Sequence, residues 1–137
     1  MPTEPLPSAI VELGRLVERR MHRALSEHGV TAGQYMALVH IERCPGISRA
    51  DLARGLQLSP QAAGGLTTQL LGMALIARTE ARPGLAVEFF ATEAGLNLLS
   101  DAGETLETIT EEILRCFRPN LAAAMDGGVR HLLARLS

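Results

Sequence analysis

Apolar side chains recur at helical spacing near the start of the chain, at Ile10, Leu13, Val17, Met21 and Ala24. That period predicts a first helix capped by Ser8 and stopping near Gly29, since glycine takes the left-handed conformation that ends helices. Pro2, Pro5 and Pro7 ahead of it predict an extended arm. Thr31 and Gln34 form a T-x-x-Q capping box before Tyr35, Met36, Leu38, Val39 and Ile41. The box predicts a second helix, ended by Cys44-Pro45-Gly46. Ser48 and Asp51 repeat the box for a short third helix ending around Gly55, with Ile47 and Leu52 placed as a hydrophobic staple. Ser59-Pro60 puts a capping hydroxyl before a proline suited to the first helical position. This predicts a fourth helix to about Gly72 that buries Ala63, Leu66 and Leu70.

The period then changes. Leu75 to Ala81 and Leu85 to Ala91 read as two short strands around Arg82-Pro83-Gly84, with Leu85, Val87 and Phe89 alternating with Ala86, Glu88 and Phe90. Thr92 caps a long fifth helix. In it Leu99, Ala102, Leu106, Ile109, Ile113 and Cys116 are spaced 3, 4, 3, 4, 3, a seam that asks for a partner helix. Pro119 disrupts or ends this helix, and Asp126 caps a last one carrying Val129, Leu132, Leu133 and Leu136. Two short helices joined by a tight turn and followed by a hairpin make a winged helix-turn-helix. The expected fold class is therefore mainly α with a small β-hairpin wing. One domain spans 1–137, with a DNA-binding lobe over 31–92 and a helical dimerisation region over 1–30 and 93–137.

Composition narrows the function. Only 3% of the 137 residues are aromatic while 47% are hydrophobic, so the core is aliphatic and suits helices better than a β-sandwich. The net charge of −2 excludes a uniformly basic polyanion binder. Arg15, Arg19, Arg20 and Arg23 cluster early, and Asp101, Glu104, Glu107, Glu111 and Glu112 cluster late. The arginines either contact DNA or pair with those acids across the helical region. No apolar run approaches the ~20 residues needed to span a bilayer, and the start has no signal-peptide pattern. The expectation is a soluble cytoplasmic protein that makes no membrane contact.

Several motifs in order resemble the MarR family of bacterial transcriptional regulators. Gly29-Val30-Thr31-Ala32-Gly33-Gln34-Tyr35 resembles its G-L-T-x-x-Q-[YF/W] stretch, and Ile47-Ser48-Arg49-Ala50-Asp51-Leu52-Ala53 its [I/L]-[S/T]-x-x-[D/E]-L-A. Leu58-Ser59-Pro60-Gln61 looks like the start of its recognition helix, Ala74-Leu75-Ile76-Ala77-Arg78 like its G-L-[V/I]-x-R, and Thr92-Glu93-Ala94-Gly95 like its T-x-x-G. The resemblance covers nearly the whole chain. It implies a homodimer whose first, fifth and sixth helices intertwine, palindromic operators, and release by small organic ligands or by oxidation. Ile10, Leu13, Val17, Leu106, Ile109, Ile113, Phe117, Leu132 and Leu133 are the expected dimer contacts. Two departures stand out. The wing lacks the family's Asp-x-Arg pattern and keeps only Arg82, and the recognition helix has no basic residue.

The residue chemistry can be read independently of that likeness. Polar side chains on a helix can reach base edges in the major groove, which Gln61, Thr68 and Gln69 suit, while Thr67 could serve a base or a phosphate. Gln is a plausible adenine reader. Ser48 and Ser59, the latter with the free N–H groups that follow Pro60, can hold phosphates, and Arg49, Arg54, Arg78 and Arg82 supply countercharge. Gly64, beside Gly65, either lets a backbone approach DNA or another helix closely or marks a weakened reader. His22, Tyr35, Met36 and His40 either line a small-ligand cleft or pack in the core. The expected partners are double-stranded DNA, a second copy of the chain and a small organic ligand. No cofactor or metal is expected: His22, His28, His40 and His131 are scattered, and Cys44 and Cys116 form neither a disulfide framework nor a CxxC pair. In the family's peroxide-sensing branch the reactive cysteine lies in the first-helix region, where this chain has none. Without GxSxG, a Walker loop, HExxH or a dinucleotide fingerprint, an enzyme is not expected and no residue is assigned as catalytic. The rival reading is a ligand-binding or protein-interaction dimer on the same fold with weakened DNA reading.

Overall fold

A computed structural model describes residues 4–137. Pro2 of the expected arm lies outside them. The first helix, α1 (Leu6–Leu25), begins earlier than expected, with Pro5 at the cap and no side-chain cap bond. Ser8 therefore lies inside the first turn, its backbone N–H donating to the Pro5 carbonyl at 3.0 Å. The reason is Pro7: its fixed φ suits the first turn, where a missing N–H costs nothing. A single 3-10 turn (Ser26–His28) follows, and Gly29 closes it at φ +73°, a conformation that disfavours any side chain.

Helix α2 (Ala32–Arg43) carries the complete capping box. Thr31 Oγ1 accepts from the Gln34 N–H at 3.1 Å, and Gln34 Oε1 accepts from the Thr31 N–H at 3.0 Å. The second expected box is only half formed. Ser48 caps α3 (Arg49–Leu56) by accepting from the Asp51 N–H, but Asp51 is one methylene too short to reach back and pairs with Arg54 instead. Gln57 turns the chain at φ +54°, and Ser59 then caps α4 (Pro60–Gly72) by accepting from the Ala62 N–H at 3.1 Å. Ala63, Thr67 and Leu70 are its buried residues; Leu66 is half-buried against the core.

The wing is a three-stranded antiparallel sheet in the order β1-β3-β2, with β1 (Ile47–Ser48), β2 (Ile76–Arg78) and β3 (Glu88–Ala91). Its register pairs Ile47 with Phe89 and Ile76 with Ala91. The two-residue β1 is too short to show any alternation in sequence. The hairpin strands are shorter than expected. After Arg78 the pairing lasts through Thr79, whose N–H and hydroxyl bond Glu88, and then gives way to a loop with a lone Arg82–Leu85 bridge. Leu85 is exposed, as are all of residues 81–86, so the outer part of the hairpin lies outside the core.

Thr92 caps α5 (Glu93–Arg115) by accepting from the Gly95 N–H, and its hydroxyl donates to the Ala74 carbonyl at 2.7 Å. Gly95 is required there, because a methyl group would run into the Leu75 carbonyl oxygen. Helix α6 (Pro119–Leu136) starts at Pro119, not at Asp126. Proline at the first helical position is itself a start signal, and Asp126 sits mid-helix, paired with Arg130 at 3.2 Å. Leu25, Leu38, Ile41, Leu52, Leu70, Ile76, Phe89 and Ala102 form one core where α2, α4, the sheet and α5 converge. The upper part of the α5 seam is filled from within the protomer. Ala102 is buried, and half-buried Leu99 and Leu106 pack on the same core.

Candidate nucleic-acid interface

Helix α4 separates its two faces cleanly. Gln61, Ala62, Gly65, Thr68 and Gln69 are exposed, while Ala63, Thr67 and Leu70 are buried behind them. Thr67 is the correction to the expected reading face. It is fully buried, and its hydroxyl donates to the Gly64 carbonyl at 2.9 Å, so it reaches neither base nor phosphate. A threonine at this helical phase passes for a polar surface residue in sequence; its i−3 backbone bond is what lets it sit inside. Thr68 donates to the same carbonyl at 2.9 Å, which leaves its oxygen to act as an acceptor from an incoming partner.

The two glycines have different roles. A Cβ on Gly64 would meet the Arg49 stem at 3.7 Å, so α3 already lies across that position. Gly65 has nothing near it and leaves the exposed backbone bare. Arg49 thus lies between α3 and α4, beside the exposed helix face. Pro60 occupies the first position of α4, and the hydroxyl hydrogens of Ser48 and Ser59 remain available once their oxygens have accepted the cap bonds.

The cations around this face are few. Arg49, Arg78 and Arg82 are exposed and belong to none of the ion pairs of the described residues, whereas Arg54 is paired with Asp51. Arg78 lies in β2 and Arg82 near the wing tip, next to the left-handed turn at Gly84. Gln34 is the residue that sequence reasoning missed here. Its Nε2 donates to Gln69 Oε1 at 3.0 Å and so ties the start of α2 to the exposed face of α4. The capping box announced its first bond; the second crosses 35 positions and left no local signal.

Among the described residues the four ligand candidates have different surroundings. His22 lies in a surface groove with Glu18, Arg19, Arg23 and Ser26. Tyr35 packs against the core, and burial raises its phenol pKa above the ordinary range while the charge of Arg43 opposes the shift. Met36 is exposed; its carbonyl accepts from His40 Nδ1 at 3.1 Å, and the His40 ring packs over Gly55. Of the arginine cluster, Arg20 pairs with Glu112 of α5. That hydrogen bond and charge raise the Arg20 pKa and lower that of Glu112. The Arg20–Glu112 pair follows one of the two readings of the cluster; a second tie, which the sequence did not announce, joins the 3-10 turn to α5: His28 Nε2 lies 2.7 Å from Thr105 Oγ1, which donates to Glu27 at 3.1 Å. Both cysteines are exposed and free, and no cluster of metal-ligating side chains occurs among the described residues.

No family model matches the sequence. No curated protein matches it either. Solved structures do match in shape. Wild-type MarR from E. coli in its apo form aligns with a TM-score of 0.84 at 17% identity, over 96% of this chain and 99% of that one. The Mycobacterium tuberculosis MarR family protein Rv2887 in complex with DNA aligns at 0.78 and 22% identity, over 95% and 98%. MepR from S. aureus, also in a DNA complex, aligns at 0.76 and 15%, over 97% of each chain. Rv2887 is also known in complex with p-aminosalicylic acid. The chain therefore has the MarR fold, a winged helix-turn-helix flanked by long helices, along essentially its whole described length.

Proposed function

We propose that this MarR-fold chain is a DNA-binding transcriptional regulator of that family, a homodimer that represses from a palindromic operator and is released by a small organic ligand. The observation that carries the reading is the exposed polar face of α4, capped at its start by Ser59 and flanked by Arg49, Arg78 and the wing. Such a face fits the major groove, with Ser48, Ser59, Arg49, Arg78 and Arg82 on the phosphates and Gln61, Thr68 and Gln69 toward base edges. Arg54 contributes only on leaving Asp51. Residues 31–92 serve as the DNA lobe; 1–30 and 93–137 hold two lobes one helical turn apart, roughly 34 Å. Exposed Ile10, Leu13, Phe117, Leu132 and Leu133, with half-buried Val17, Ile109 and Ile113, supply the apolar surface for pairing. DNA-bound MepR and Rv2887 share this fold, which supports the reading, and Rv2887 with p-aminosalicylic acid supports a small aromatic acid as the class of effector.

The sparse cations favour a second reading, a ligand-responsive or interaction dimer that reads DNA weakly. A titration of the full chain against duplex DNA across salt concentrations separates the two. The three arginines beside the α4 face that belong to no ion pair, Arg49, Arg78 and Arg82, make six in a dimer, so the slope of log affinity against log salt is expected at about −5. Gln61→Ala with Arg82→Ala removes sequence preference while leaving residual salt-sensitive binding. A slope shallower than about −2 with no preference among sequences favours the second reading.

A further inference from the structure

From Arg49 to Gly72, the span of α3 and α4, the charged side chains are Arg49, Asp51 and Arg54. Asp51 and Arg54 pair with each other, so Arg49 carries the charge of the helix-turn-helix that no ion pair among the described residues compensates. Its stem does not stand free in solvent. A Cβ on Gly64 would meet Arg49 Cδ at 3.7 Å and Nε at 3.9 Å, so this end of the side chain lies along the bare backbone of α4. On the helix surface Gly64 neighbours Gln61 and Thr68, its i−3 and i+4 positions, and both are exposed. The charge of α3 is thereby brought beside the polar face of α4, a helix with no basic residue of its own.

Glycine inside a helix is unfavourable, because it loses more backbone freedom on folding than alanine does. What Gly64 offers is a strip of helix with no side chain on it. An arginine has a long rotatable stem, and any contact it makes with a phosphate must overcome the loss of that freedom. A stem already laid against a neighbouring helix has given up part of it before DNA arrives. We infer that Gly64 is a positioning residue, which seats Arg49 against α4 so that its guanidinium neutralises a phosphate beside the recognition helix. The inference rests on the DNA-binding reading above and deepens it, giving Gly64 a role that needs no contact with DNA.

Two substitutions at Gly64 differ in what they leave of the seat. Alanine adds a Cβ at ordinary contact distance and keeps it. Valine fills two of the three staggered positions on that Cβ and removes the bare strip, while being no worse a helix former than glycine. Arg49→Met keeps a flexible stem over Gly64 without the charge. Binding of the full-length chain to mixed-sequence duplex DNA is read across salt concentrations, since phosphate contacts are sequence-independent. Arg49→Met should bring the slope from about −5 to about −3, one phosphate per protomer. Gly64→Ala should bind like the wild type, and Gly64→Val about fivefold more weakly at fixed salt. In the Arg49→Met background Gly64→Val should cost nothing further, which separates a lost seat from a direct clash with DNA. Nitrogen-15 relaxation of the Arg49 Nε–H tests the seat without DNA: restricted in the wild type and Gly64→Ala, mobile in Gly64→Val. An unchanged slope in Arg49→Met, a Gly64→Val variant that binds like the wild type, or a loss that persists without the arginine overturns the inference and leaves the DNA-binding reading standing. A wild-type slope shallower than about −2 overturns that reading and the inference with it.

Discussion

The lobe over residues 31–92 and the helical arms on either side of it complete their structures differently. The lobe is closed. Thr31, Ser48 and Ser59 each satisfy a helix start, and Leu38, Ile41, Leu52, Leu70, Ile76 and Phe89 lie in one core. The arms are open. Helix α6 contributes no buried residue, α1 contributes only Leu25, and Leu133 and Leu136 are 64% and 80% exposed. An amphipathic helix gains most of its stability from packing its apolar face. The lobe thus finds its packing partners within the protomer, whereas the arms have an apolar surface that a second copy would cover.

The largest expected effect lies in the lobe. Phe89→Ala removes the largest fully buried side chain and should cost about 3–5 kcal/mol in chemical denaturation. A loss under about 1 kcal/mol would mean the lobe core is not the one described. The arms should respond in mass rather than in fold. Leu133→Glu places a charge on the exposed face of α6 and should weaken dimerisation by about 2 kcal/mol, roughly thirtyfold, by sedimentation, with helical circular dichroism retained. An unchanged dimer would remove α6 from the interface. At the junction, Ala74 holds φ +58° where the resembling family carries glycine. Ala74→Gly should therefore stabilise by about 1 kcal/mol, contrary to the usual cost of glycine. The smallest effect concerns Glu112. Its carboxyl is held below the ordinary glutamate value by Arg20, so whatever the pair adds is complete above about pH 4.3 and is lost as pH falls through the lowered value. Both groups are exposed, so Glu112→Gln should leave the neutral-pH melting temperature almost unchanged and only slightly flatten its acid limb.

Legibility in the sequence followed the range of the interactions. The capping signals at Thr31, Ser59 and Thr92 act over three residues and were read correctly, because the donor and the hydroxyl are near neighbours whatever the rest of the fold does. The prolines misled at both open ends. Pro7 lies inside α1 and Pro119 starts α6, which displaced the expected caps at Ser8 and Asp126. Helical period alone placed the exposed face of α4 but assigned Thr67 to it, since a hydroxyl that can bond its own backbone is equally at home inside.

By itself the sequence determined the order of the six helices and the hairpin, the winged helix-turn-helix they make, and most of the exposed polar face of α4, since these depend on local period and capping. Tertiary structure alone decided that the upper α5 seam packs on the protomer's own core, that Arg54 is engaged by Asp51, and that Gln34 orients Gln69. Of these, the seam and the Gln34–Gln69 bond join positions far apart in the chain, and their geometry exists only once the helices have packed. Asp51 and Arg54 are near neighbours, yet Asp51 also had a capping role open to it, and only the folded geometry showed which it takes.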